Sequence, residues 1–310
     1  MTYRLDLDMP VGEALRSAAV SQMTDGASRL RTAAGSRASA ATAIHEARKD
    51  LKQTRSILRL ARSGLPADTY RHENRSLRDI GRSLSDARDR AVLVEAIDGL
   101  HERLIGRVPE QAVGELRSRL RNAASATGSS DRALVRDAAA ALEQAVERAA
   151  DWPLENCDEH TLCSGAQRAH ERGRRAFDVA ACEPTVEHLH ALRKRVKDLW
   201  YHQRLLAAAW PGVLDAHAEQ SHRLSDMLGE DHDLAMLTGA LLGEDGPLSS
   251  APADLDPLLE LVAERRGELQ AHARDLAARV YAERPKAYGR RLSTYVRVTR
   301  SGMTSEGQAA

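Results

Sequence analysis

Ile44-His45-Glu46-Ala47-Arg48-Lys49-Asp50-Leu51-Lys52 recurs farther along the chain as Leu189-His190-Ala191-Leu192-Arg193-Lys194-Arg195-Val196-Lys197, an offset of 145 from His45 to His190. Downstream, Leu84-Ser85-Asp86-Ala87-Arg88-Asp89 recurs as Leu228-Gly229-Glu230-Asp231-His232-Asp233 at an offset of 144. Two separate motifs at nearly one offset indicate a duplicated structural unit. So long a period is a domain-scale duplication, which predicts a pseudo-two-fold protein and not a solenoid.

The residues around these motifs favour helix nearly throughout. The chain of 310 residues is 42% hydrophobic but only 3% aromatic, so its core is built from Ala, Leu and Val. Ala, Arg, Leu and Glu dominate while β-branched and aromatic residues are sparse, and this predicts an all-α fold. Periodicity places helices from about Val11 to Ala34, Ser39 to Arg62, Asp68 to Leu84 and Asp86 to Leu104, then Glu110 to Ala124 and Asp131 to Ala150. Asp151-Trp152-Pro153 is the expected junction. The second half repeats the scheme from about Glu159 to Ala180, Pro184 to Ala209, Trp210 to Leu228, Asp231 to Leu242 and Asp254 to Ala282. Pro184 is assigned to a first helical turn, and Gly243 to Pro252 to a loop. The expected organisation is a repeat over 1–150, a second over 151–300, together one integrated domain, and a disordered tail over 301–310.

Charge decides more than composition does. Lys+Arg 45 against Asp+Glu 45 gives a formal net charge of zero, which argues against a nonspecific nucleic-acid binder. The signs are nevertheless segregated: Ile44 to Arg90 holds twelve Lys/Arg against seven Asp/Glu, and Arg284 to Arg300 six against none. Along the second helix, Ile44, Ala47, Leu51, Leu58, Ala61 and Leu65 form an apolar seam interrupted by Thr54. One position on, His45, Arg48, Lys52, Arg55, Arg59 and Arg62 make a second stripe without a carboxylate. Like charges at i,i+3 and i,i+4 each cost roughly 0.2–0.5 kcal/mol, so an ordinary exposed face mixes signs. The stripe spans about 26 Å and lies about 100° from the seam, where it would line a groove or channel between helices. Arg71, Arg75, Arg78 and Arg82 form a third-helix row; His190, Arg193, Lys197 and Arg204 form the counterpart of the second-helix stripe in the second half. His222 and Arg223 are interrupted by Glu219 and Asp226, so the second half is the weaker contributor.

One reading of these rows is long side chains snorkelling over apolar surface and paired with carboxylates of other helices. The sharper reading is a site for a linear polyanion. Nucleic-acid strands are held by stacking worth roughly 1–3 kcal/mol per base as well as by charge. With one Phe in the chain, and Trp200 and Tyr201 the main aromatics near the rows, charge without stacking suits inorganic polyphosphate.

The same residues resemble the CHAD family of histidine-bearing α-helical domains. The resemblance rests on His45-x-x-Arg48-Lys49 with Lys52 and Arg55, Leu84 through Arg88-Asp89, His190-x-x-Arg193-Lys194 with Lys197, Leu228-Gly229 through Asp233, and the tail from Tyr281 to Tyr288. It implies two helical bundles related by pseudo-two-fold symmetry around a basic channel or cavity that binds inorganic polyphosphate, and association with polyphosphate granules. His45, Arg48, Lys49, Lys52, His190, Arg193, Lys194 and Lys197 fall on the motif's basic positions. His232 stands where the first repeat has Arg88, a departure from full symmetry. The E-x-E-x-K motif of the triphosphate-tunnel domain that precedes many members does not occur, so the resemblance implies a stand-alone binding module.

Other chemistry finds less support. Glu187-x-x-His190 and Glu219-x-x-His222 match di-iron bundle spacing, but the first half has Thr42 three before His45, and surrounding cations would repel a metal. Asp89 and Asp233 could hold arginines in register within the site or act as helix caps and structural ion pairs. There is no glycine-rich phosphate loop and no G-x-S-x-G elbow. Glu230-Asp231-His232-Asp233 would aim its carboxylates to different faces, a poor Mg²⁺ cradle. Cys157, Cys163 and Cys182 leave one unpaired in any disulfide scheme, and no signal-peptide core or apolar run of about 18 residues occurs, which together predict a soluble cytoplasmic protein. The expectation is a non-enzyme without cofactor or metal. A metal-dependent phosphohydrolase and a nucleic-acid-binding helical protein are the alternatives.

Overall fold

The computed structural model describes residues 3–34, 40–84, 96–100, 106, 114–119, 130–242 and 256–306. Among them there is no β-strand. The long helices are α1 (Val11–Ala34), α2 (Ala40–Ala61), α3 (Ala67–Ser83), α4 (Ser130–Ala150), α5 (Glu159–Cys182), α6 (Val186–Leu205), α7 (Pro211–Leu242), α8 (Asp256–Val280) and α9 (Pro285–Glu306). Short helical stretches cover 96–99 and 114–119, and Ala207–Ala209 forms a 3₁₀ turn. The fourth and fifth expected helices lie mostly outside the described residues, as does the loop placed at Gly243 to Pro252.

Helix starts follow side-chain chemistry. Asp158 caps α5 by accepting from the Thr161 backbone N–H at 2.8 Å, and that bond with the Thr161 hydroxyl holds its carboxyl below the usual range. Thr185 caps α6 by accepting from the His188 backbone N–H at 3.2 Å. Pro184 therefore stands outside the helix and not in its first turn, and the helix expected to reach Ala209 stops at Leu205. A second correction concerns Leu228-Gly229-Glu230, expected to break the chain between one helix and the next and found inside the unbroken α7. Gly229 is there for packing, since a Cβ on it would come 2.9 Å from the Arg193 guanidinium. At the C-terminus α9 runs to Glu306, into the tail expected over 301–310, of which residues 307–310 lie outside the described set. Tyr288, Leu292 and Val296, four apart, bury one side of α9 against α5 despite the basic residues between them.

α1 packs between α2 and α4; α5 packs between α6 and α9; α6 lies on α7, and α7 on α8. α2 also meets α3, α5 and α6, which makes it the contact between the halves. One apolar cluster runs from Tyr3 to Val296 and draws on both halves, while Leu234, Leu237 and Leu241 of α7 join Leu258, Leu261 and Leu269 of α8 in a second. The segment before α1 belongs to the first cluster. Tyr3, Leu5 and Leu7 are buried, the Tyr3 hydroxyl donates to the Gln53 carbonyl at 3.0 Å, and the Leu5 N–H donates to the Leu205 carbonyl at 2.9 Å. Arg300 donates to the Leu7 and Met9 carbonyls, so this strap ties α2, α6 and α9 together.

The crossing of α2 over α5 and α6 is close. A Cβ on Gly165 would overlap the Leu60 carbonyl, so α5 approaches the α2 backbone only because position 165 is glycine. At α6 the His202 imidazole donates through Nε2 to the Ser56 carbonyl at 2.9 Å; a carbonyl can only accept, which assigns the proton to that nitrogen. Burial lowers the His202 pKa to about 4. His170 of α5, stacked on Tyr288 of α9 at 4.5 Å and edge-on to Tyr281 at 5.4 Å, is lowered to about 4 by burial as well. These contacts account for the Tyr281 and Tyr288 positions of the C-terminal motif.

Two outcomes follow from these contacts. Gly165→Ala forces the α2 and α5 backbones apart and lowers stability by about 1–3 kcal/mol in urea denaturation. The second is acid sensitivity. In the unfolded chain His170 and His202 protonate near 6.5, but in the fold only near 4, so stability falls as pH drops between those values. Asp50, buried beside Arg29 and raised to about 6 by burial, opposes this as it takes up its proton. The loss from His170 and His202, less the gain at Asp50, is of the order of 3 kcal/mol. Thermal melts at pH 7 and pH 4.5 measure it, and His170→Phe, which preserves the stack, removes that histidine's share of about 2.5 kcal/mol.

Candidate polyanion-binding site

The α2 row faces α3. Arg48 donates to the Gly81 carbonyl at 2.6 Å, Arg55 donates through Nε to the Asn74 side-chain oxygen at 3.1 Å, and Arg62 stands over the Tyr70 ring at 5.1 Å. His45 is exposed in the first turns of α2 and Lys52 is half-buried along the row. Lys49 turns back on its own helix to Glu46 at 3.1 Å. From α3, Arg75 and Arg82 are exposed, and the half-buried Arg78 bonds Asp79. Arg55 has its pKa lowered to about 10, first by burial and then by Arg59 and Arg78, so three guanidiniums crowd one seam. Arg88 and Asp89 lie outside the described residues.

Beyond this seam the row reaches α6. Arg59 pairs with Asp198 at 2.7 Å, and Asp198 also accepts from Arg195 at 3.1 Å. The counterpart row on α6 faces α7 for part of its length. Arg193 packs on Gly229 and lines an open groove of about 450 Å³ shared with Asp226, Glu230, Asp233 and Arg265. That groove has mixed charge, and Glu230 is held by Arg265 at 2.6 Å. His190 stacks on His232 at 4.1 Å, and burial followed by His232, Lys194 and Arg193 lowers its pKa to about 4; without a ligand it is a neutral imidazole. Lys194 is exposed and Lys197 half-buried. Arg204 turns away to the rings of Tyr3 and Trp200, at 5.3 and 5.4 Å. His222 pairs with Asp226 at 2.6 Å beside Trp200, leaving Arg223 exposed.

The structure thus brings Arg55, Arg59 and Arg78 together, sets Arg193 in a different groove, and stacks His190 on His232. It adds three arginines that the row pattern on α2, α3 and α6 did not capture. Arg168 and Arg172 of α5 and Arg195 of α6 extend the cluster around Asp198, and burial, helped by neighbouring arginines, lowers the Arg168 and Arg195 pKa values. The signal was present, since Arg168 and Arg172 stand four apart on one helix face, but nothing in the sequence says which neighbouring helix they meet. Among the described residues no group of three or more His, Cys, Asp or Glu side chains gathers to hold a metal, and no helix is long and apolar enough to cross a membrane.

The sequence model of the CHAD domain matches residues 18–242. No curated protein matches the chain. Independently of that match, the cluster makes one prediction. Asp198 compensates two partly buried guanidiniums, so Asp198→Asn lowers stability by about 3 kcal/mol in urea denaturation. Adding Arg195→Met recovers some of the loss, which a purely steric effect at position 198 would not allow.

Proposed function

Because the chain belongs to the CHAD domain family, we propose that it is a non-enzymatic binding protein for inorganic polyphosphate, acting in the cytoplasm and at polyphosphate granules, without cofactor or metal. The observation that carries this reading is the meeting of Arg55, Arg59 and Arg78 near the α2–α3 seam, where burial first, and then Arg59 and Arg78, lower the Arg55 pKa to about 10. A chain of phosphates relieves that repulsion at each unit and releases its own counterions. Arg59 and Arg78 have carboxylates at Asp198 and Asp79, but Arg55 beside them bonds the neutral Asn74 side chain, which leaves a cationic excess for a polyanion to meet.

The packing also supports duplication around a pseudo-two-fold axis. Arg48 meets the end of α3 at Gly81, and Arg193, its equivalent at an offset of 145, meets Gly229 in the corresponding stretch of α7. α1 sits between α2 and α4 as α5 sits between α6 and α9. Ser56 and His202 touch where α2 crosses α6, and the offset carries Ser56 to Tyr201, so equivalent points of the two helices meet. From this crossing the rows extend about 16 Å along α2 to His45 and about 18 Å along α6 to His190. We read the two as one basic track formed by His45, Arg48, Lys49, Lys52, Arg55, Arg59, Arg75, Arg78, Arg82 and Arg88 on one side and His190, Arg193, Lys194 and Lys197 on the other, with Arg204, His222 and Arg223 nearer its aromatic edge.

The test is a polyphosphate titration at near-physiological salt with RNA as competitor, on wild type and on Arg48→Glu/Lys52→Glu/Arg193→Glu. The expected result is tight binding that RNA does not displace, that weakens steeply with salt, and that the triple variant loses. Equal competition by RNA would identify a nucleic-acid binder. Phosphate release on adding Mg²⁺ would identify a phosphohydrolase.

A further inference from the structure

The guanidiniums around Asp198 enclose a pocket at the end of the α2–α3 seam, beside the Tyr70 ring on which Arg62 stands. It is lined by Arg59 and Arg62 of α2, Arg168 and Arg172 of α5, and Asp198 and His202 of α6, and its volume is about 40 Å³. That is the space of about three waters, which suits one small polar group and excludes a nucleobase. Its mouth is formed by the exposed Arg62 and Arg172, and its floor by the buried Asp198 and His202. Asp198 is already engaged by Arg59 and Arg195. Among the described residues Arg62, Arg168 and Arg172 pair with no carboxylate; Arg168 bonds only the hydroxyls of Ser63 and Ser164. The lining is therefore four guanidiniums against one occupied carboxylate.

The floor adds chemical selectivity. His202 is 1% exposed and donates through Nε2 to Ser56, so its Nδ1 presents a lone pair, and this atom has no partner among the described residues. Arg59 Nε, also buried, has none either. An orphaned buried acceptor costs about 1–3 kcal/mol, so the pocket favours a guest that offers a hydroxyl as well as negative charge. A phosphate group with a weakly acidic P–OH does both, because the second ionisation of a phosphate lies at about 6 and leaves that hydroxyl partly protonated near neutrality. Phosphates inside a polyphosphate chain lack this hydroxyl; the two ends of a linear chain, and free orthophosphate, have it.

We propose that this pocket is a binding site for a single phosphate group bearing a P–OH, seated by Arg62, Arg168 and Arg172 and donating to His202 Nδ1. It goes beyond polyphosphate binding along the rows: it shares Arg59 and Arg62 with the α2 stripe but is completed by α5, which carries none of the motif positions. Gly165 makes it possible, because it lets α5 bring Arg168 to within reach of Arg62.

Calorimetric titration with orthophosphate, linear tripolyphosphate and cyclic trimetaphosphate tests it on wild type and on Arg168→Ala/Arg172→Ala. The double variant is expected to weaken orthophosphate and tripolyphosphate at least tenfold and to leave trimetaphosphate, a ring without ends, unchanged. Tripolyphosphate bound more tightly than orthophosphate marks the chain end as the natural guest, and equal affinity marks the free ion. Unchanged orthophosphate binding in the variant, or equal loss for the ring, overturns the proposal. Nitrogen NMR of the wild-type histidines gives a readout that needs no variant: His202 Nδ1 shifts on adding orthophosphate, and an unmoved resonance overturns the assignment. Long-chain polyphosphate binding is measured separately in the Arg48→Glu/Lys52→Glu/Arg193→Glu variant, so failure of the pocket and failure of the rows are distinct results.

Discussion

The crossing of α2 over α6 is the constraint on which the rest of the structure depends. Two contacts pin it directly, His202 to the Ser56 carbonyl and Arg59 to Asp198, and the strap spans it, with the Tyr3 hydroxyl on the Gln53 carbonyl and the Leu5 N–H on the Leu205 carbonyl. Each is at least partly buried, so each polar group is costly to leave unpaired and the angle of crossing has little freedom. That angle sets which way the two basic rows run. It also sets how near α5 comes to α2, and so whether Arg168 and Arg172 meet Arg62 across a pocket or face water.

Around this crossing the chain tolerates an arrangement that would not persist for stability alone. Three arginines at helix junctions are matched: Arg148 with Glu73 between α4 and α3, Arg266 with Asp231 between α8 and α7, Arg291 with Glu283 beside α9. These pairs stitch helices together with a carboxylate buried or half-buried at each junction. Along the α2–α3 seam Arg59 and Arg78 reach Asp198 and Asp79, while Arg55 bonds the neutral Asn74 side chain and has its pKa lowered, first by burial and then by Arg59 and Arg78. The contrast between arginines paired at helix junctions and arginines gathered along one seam is what marks that seam as the surface proposed to meet a polyanion.

Most helices were legible from the sequence because an amphipathic period and a cap are local properties. α1, α2, α3, α4 and α5 follow the expected spans within two residues or so at either end. Where the reading failed, a local signal was overruled by a distant partner. Gly229 reads as a breaker and becomes an interior position because Arg193 needs the space of its missing Cβ. Residues 3–9 carry no helical period, and their burial comes from carbonyls of α2 and α6 and from Arg300, about 290 residues away. The segment from Arg284 to Arg300 reads only as basic, yet three apolar side chains four apart bury one side of a helix once α5 offers a face to cover them.

The sequence by itself determined that the protein is all-helical, that it belongs to the CHAD family, and that cations lie in rows along α2, α3 and α6, since helix period and motif spacing are written within single segments. Only the tertiary structure decided what each cation meets. Arg48 and Arg55 face α3, Lys49 returns to Glu46, Arg204 goes to aromatic rings, and Arg193 shares its groove with carboxylates. Arginines from α5 that belong to no row join Arg59 and Arg62 around Asp198. The reason is physical: a helix period places a side chain on a face, but its electrostatic environment is set by groups within a few ångströms on other helices, and those distances exist only once the helices have packed.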